Sequence, residues 1–146
     1  MKDLLQLLAF ATIAFSQAQA ASHTPAPGSP ERKAICDAVR ARVLANAMKK
    51  PPKPIVFKID FLRVENGFAW FEGTPRLQDG SYVPDGYIAD VDYIMVLKQD
   101  SGGWKVMQDL SRGDVPSEQE GLELRKQLKE VPDGIIPDSW RKILKR

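Results

Sequence analysis

The sequence predicts an α+β domain in which an N-terminal helix packs on a four-stranded antiparallel meander followed by C-terminal helices. Three observations carry this. Ile35, Val39, Val43 and Ala47 recur at i+4 spacing behind a helix-start signal. Alternating apolar runs follow, separated by short turns such as Asn66-Gly67 and Ser101-Gly102-Gly103. Ser117-Glu118-Gln119-Glu120 then has the form of a capping box, in which the serine accepts from a free amide and the last glutamate reaches back.

The first helix is expected from Ser29, as cap, and Pro30 to about Lys49. Proline is tolerated in the first turn because its missing N–H has no helical acceptor there. Pro51-Pro52-Lys53-Pro54 forbids continuation. The first strand, Ile55 to Val64, alternates as Ile55, Phe57, Ile59 and Phe61 and then switches parity to Leu62 and Val64. That switch predicts a bulge near Asp60 to Leu62. Phe68 to Thr74 is expected as the second strand, and Leu77 to Gly86 as a loop. Tyr87 to Lys98 is expected as the third and longest strand. Tyr93, Met95 and Leu97 lie on one of its faces and Ile94 and Val96 on the other, so both faces require cover. The fourth strand is expected over Trp104 to Leu110. Leu124, Leu128 and Trp140 in the C-terminal helices are available to cover the second face of the sheet.

Residues 1–20 read as a signal peptide. Lys2 is followed by an apolar run from Leu4 to Phe15, and Ala18-Gln19-Ala20 is a small-x-small cleavage site. The run is shorter than the ~20 residues that span a bilayer. Cleavage after Ala20 and a periplasmic or secreted location are therefore expected, with no stable membrane insertion afterwards. Residues 21–30 are expected as a flexible linker and residues 31–146 as a single domain. The net charge of +2, with both signs interspersed, is not the concentrated basic stripe of a nucleic-acid binder.

A helix gripped by a curved sheet is the layout of cystatin-like and nuclear-transport-factor-like domains. The chain resembles a family of small exported bacterial proteins of this appearance. The resemblance runs from about Arg32 to Ile143. It is carried by residues 32–40, by Val56-Phe57-Lys58-Ile59 with Leu62-Arg63-Val64, and by Gly67-Phe68-Ala69-Trp70. Gly103-Trp104-Lys105-Val106 and Gly113-Asp114-Val115 complete it. Family members have a longer segment between the second and third strands, which implies that residues 77–86 are remodelled here. The resemblance implies fold and export, and no mechanism.

The chemistry open to the chain is limited. Cys36 is the single cysteine and His23 the single histidine, so no internal disulfide can form and the usual triads and zinc sets lack ligands. No cofactor is expected. Asp90 and Asp92, two apart on a strand, would share one face about 7 Å apart. With Asp60 they are the candidates for acid–base work, and with Asp60 or Glu72 for holding a hard cation. Trp70, Tyr87, Tyr93 and Trp104 are core residues or the walls of a ligand groove. Cys36 belongs with the apolar helix face. The favoured reading is a non-catalytic binding or interaction module of the cell envelope, inhibitor- or immunity-like in one form. Its partner would be an envelope protein, a peptide or a small ligand, and the module a monomer or homodimer. The alternative is a small nuclear-transport-factor-like enzyme using carboxylates.

Overall fold

The computed structural model describes residues 21–146, so the signal-peptide reading of residues 1–20 lies outside the described residues. The domain is α+β, as expected. Helix α1 (Pro30–Ala45) precedes strands β1 (Ile55–Glu65), β2 (Phe68–Leu77), β3 (Tyr93–Asp100) and β4 (Gly103–Asp109). Helix α2 (Glu118–Gln127), a single 3-10 turn (Asp133–Ile135) and helix α3 (Asp138–Leu144) follow. The sheet is antiparallel with strand order β1-β2-β3-β4.

Helix α1 starts as the sequence demands, with the Ser29 side chain accepting from the Arg32 amide at 3.2 Å. It ends at Asn46, short of the expected Lys49. The amides of Met48 and Lys49 instead donate to the Tyr87 carbonyl at 2.8 and 3.3 Å, which draws the chain off the helix axis. Asn66 and Gly67 both have positive φ, the geometry that matches the twist of a two-residue hairpin. The expected bulge in β1 lies between Ile59 and Phe61. It sends Phe61 to the opposite side of the sheet from Ile59 and Leu62, which pack towards α1.

Two strand boundaries differ from expectation. Strand β2 continues past Thr74 to Leu77, because Pro75, Arg76 and Leu77 still find partners on β1. Strand β3 starts at Tyr93, six residues later than the sequence suggests. The last residue that β2 pairs with it is Gly73, opposite Tyr93, so residues 87–92 have no ladder to join. Ile88 and Val91 pack against the α1 side of the core from a loop instead.

Both faces of β3 are covered. Tyr93, Met95 and Leu97 join Ile35, Val39 and Val43 of α1 in one core. Val96, with Ile94 at its margin, joins Trp70, Leu128, Val131, Ile135, Ile136, Trp140 and Leu144 in a second core. The Trp70 and Trp140 rings meet at 5.5 Å. Docking of the C-terminal segment on the sheet is thus as expected. The expected capping box forms in α2, with Ser117 and Glu120 exchanging hydrogen bonds.

Residues 21–30, expected as a linker, make hydrogen bonds to the domain. His23 exchanges both backbone hydrogen bonds with Val64, at 2.9 and 2.8 Å. Pro25 is buried, and its carbonyl accepts from Arg32 at 3.1 Å. The segment satisfies the outward amide and carbonyl of Val64 and so covers one end of the open β1 edge. No helix among the described residues is long and apolar enough to cross a membrane.

Candidate functional site

The bulge in β1 and the late start of β3 decide where the acids fall. Glu72 of β2 sits half-buried between Phe61 on β1 and Ile94 on β3, its register partners. The Trp70 indole Nε1–H donates to Glu72 Oε1 at 3.0 Å. Burial pushes the Glu72 pKa up. The Trp70 hydrogen bond pulls it down, and the negative charges of Asp60 and Asp92 push it up again. Asp60 and Asp92 therefore both act on Glu72, which the sequence offers only as a partner for a hard cation.

Asp90 does not join them. The expected pair of Asp90 and Asp92 on one strand face is not formed, because both precede β3. The Asp92 backbone instead exchanges hydrogen bonds with Arg112, at 3.1 and 3.2 Å. Asp90 lies at a hollow of about 90 Å³ between the end of β2 and the 82–91 loop, near Tyr93. Among the described residues, no group of three or more His, Cys, Asp or Glu side chains is placed to hold a metal ion.

Next to Glu72 and Ile94 a cleft of about 250 Å³ opens between β3, residues 112–116 and α3. Ile94, Val115, Pro116, Trp140 and Ile143 give it apolar walls, and Asp92 stands at its edge. The Arg112 side chain braces the 112–116 segment through Asp114 at 3.1 Å and Glu120 at 3.4 Å. Val115 is 76% exposed, the most exposed large apolar side chain described. In the sequence, Gly113-Asp114-Val115 stands out only as part of the family resemblance. One valine between a turn and a proline carries no periodicity, so nothing in the sequence marks it as exposed.

The aromatic candidates fall mostly in the cores. Trp70 is fully buried in the second core, and Trp104 and Tyr93 are buried in the first. The Tyr93 hydroxyl donates to the Ala89 carbonyl at 2.8 Å, and burial raises its pKa. Tyr87 is half-buried in the loop that receives the end of α1. Among the described residues the exposed aromatic is Tyr82, with the Arg76 guanidinium 3.6 Å over its ring. Cys36 is half-buried at the margin of the α1 core. Burial raises its thiol pKa against the opposing charges of Arg32 and Arg40. His23 Nε2 lies 2.8 Å from Glu31 Oε2 on the surface. No protein-family model, curated protein or solved structure matches the chain.

Proposed function

We propose that the protein is an exported, non-catalytic binding module of the cell envelope, and that the cleft beside α3 is the face it offers to a peptide or to an apolar segment of another envelope protein. One observation carries the reading: Val115 stands exposed over a cleft walled by Ile94, Trp140 and Ile143. Exposed apolar side chains grouped at a concave surface are the usual form of a recognition site. Cystatin-like or nuclear-transport-factor-like ancestry, and an inhibitor- or immunity-like role, agree with the layout and rest on fold analogy alone.

The test is affinity capture from periplasmic extract with the wild-type protein and a Val115→Arg variant as parallel baits. A partner held by the wild type and lost by the variant supports the proposal. Equal recovery by both baits overturns the cleft as the binding face.

The second reading, a carboxylate enzyme, is favoured by Glu72. A half-buried acid whose protonated form is favoured by burial is the kind of group that serves as a general acid. In that case Glu72→Gln would abolish turnover while leaving substrate binding unchanged.

A further inference from the structure

A second surface, apart from the cleft, is built from the end of α1 and the proline-rich arm behind it. Residues 40–54 contain five cations, Arg40, Arg42, Lys49, Lys50 and Lys53, and no acid. The same stretch carries two of the four exposed large apolar side chains among the described residues, Leu44 at 43% and Met48 at 63% exposure. Between Leu44 and the arm runs a groove of about 390 Å³. Its floor is Ile55 and Pro51, both buried, and its walls are Leu44, Pro52 and Pro54.

The rim is cationic and fixed. Arg40 Nε donates to the Ile55 carbonyl at 2.6 Å while its Nη1 pairs with Asp37. Lys53 is steadied by Asp79 at 2.7 Å. Lys49 and Lys50 make no ion pair with any described residue, so positive charge beside the groove is left without a counterpart. Three prolines stiffen the arm, so little chain entropy is lost when a ligand seats on it.

We infer that this groove binds an acidic extended segment of a partner protein, with one apolar side chain on the Ile55 floor, a carboxylate against Lys50, and a second competing with Asp79 for Lys53. Charge complementarity selects the acidic partner. The concavity selects a peptide over a bilayer, because the apolar floor lies recessed between proline walls where a flat lipid surface cannot reach it.

The test is fluorescence anisotropy of the purified protein with a labelled peptide in which one leucine is flanked on each side by two glutamates. Matched probes carry lysine for glutamate, or glycine for leucine. The acidic leucine peptide should bind at least about tenfold tighter than the basic one, and its affinity should fall with added salt. The double variant Lys50→Glu with Lys53→Glu should weaken it by about tenfold. Leu44→Ser should weaken it by about threefold, and the glycine probe should lose as much. All three side chains are exposed, so thermal melts should match the wild type. Val115→Ser, in the separate cleft, should leave binding unchanged. Equal affinity for acidic and basic peptides would overturn the inference. So would charge-reversal variants that bind as the wild type does, or binding confined to phosphatidylglycerol vesicles.

Discussion

On one face of the sheet, Ile35, Val39 and Val43 of α1 bury against Leu62, Phe71 and Met95. On the other, Leu128, Val131, Ile135 and Ile136 bury against Trp70 and Val96 with no helix of comparable length behind them. Helix α1 presents one straight apolar stripe and does its work by periodicity. Helix α2 buries only Gly121, and Leu128 is already its cap. The residues that cover the second face lie mostly between helices, in a segment whose shape comes from polar ties. Arg146 donates to the carbonyls of Leu128 and Val131 at 2.9 and 2.7 Å, and pairs with Asp133 at 2.7 Å. Arg141 donates to the carbonyls of Ile136 and Asp133. The comparison teaches that a sheet face can be sealed by a regular helix or by an irregular strap. The strap needs guanidinium groups to satisfy carbonyls that a helix would satisfy by itself.

The largest expected effect removes the strap. Deleting residues 117–146 would strip Trp70 and Val96, both at 0% exposure, of their cover. Each buried apolar side chain of this size is worth roughly 1.5–3 kcal/mol, and the strap contributes several, against a total domain stability of about 5–15 kcal/mol. The truncated protein should aggregate or lose its cooperative melt. Size-exclusion chromatography and circular dichroism check this. A monomer with an unchanged melting temperature would show that the α1 face holds the fold alone.

A finer comparison sets single residues from the two faces against each other. Trp140→Ala should cost about 3–5 kcal/mol, because it empties the contact with Trp70. Val39→Ala in α1, also fully buried, should cost about 2 kcal/mol for a smaller loss of volume. Urea denaturation of both variants gives the order. If Val39→Ala proves the costlier, the strap is secondary to the helix.

What was legible in the sequence follows the same division. Regular spacing revealed α1, the hairpin, the bulge and the capping box, since each is dictated by neighbours a few residues apart. The two apolar faces of β3 were legible from the unbroken apolar run between Tyr93 and Leu97. The start of β3 was not, because Tyr87, Ala89 and Val91 continue the spacing of one apolar face and only the end of the β2 ladder excludes them. The same miss misplaced Asp90 and Asp92 as a pair. Glu72 became central through its depth beside Trp70, and depth depends on what crosses above it, which no local pattern records. The cleft at Val115 was illegible for the same reason.

The strap is closely fitted at the meeting of α2 and α3. A Cβ at Gly121 would lie 2.6 Å from the Ile143 carbonyl oxygen, so α2 and α3 meet backbone to backbone there. Glycine to alanine in an exposed helix usually stabilises by about 0.5–1 kcal/mol. Gly121→Ala should reverse that sign and destabilise by about 1–3 kcal/mol, since the helices must separate. A stabilised variant would mean that α2 is a loose attachment to α3.

The smallest effect is a pH dependence on the strap side of the sheet. No polar or charged side chain described is fully buried, and Glu72 is the acid whose pKa burial raises. The folded protein therefore holds the Glu72 proton more tightly than the unfolded chain does. Well below the ordinary glutamate range the group is protonated in both states and contributes no difference. As pH rises through that range the unfolded chain ionises first, and stability is lost until the folded carboxyl ionises too. Exposed acids with lowered pKa, such as Asp37, held by Lys33 and Arg40, act in the opposite sense. The wild type alone would thus show a mixture. Glu72→Gln isolates the one contribution, because its amide oxygen can still accept from Trp70 while no charge can form. The variant should melt with the wild type near pH 3 and slightly above it at pH 7. The gain should be small, since Glu72 is about half open to water and solvent screens its charge. Paired thermal melts across that range measure it. A variant that melts below the wild type at pH 7 would show that the carboxylate charge, and not the buried carboxyl, is what the Trp70 side of the sheet is built around.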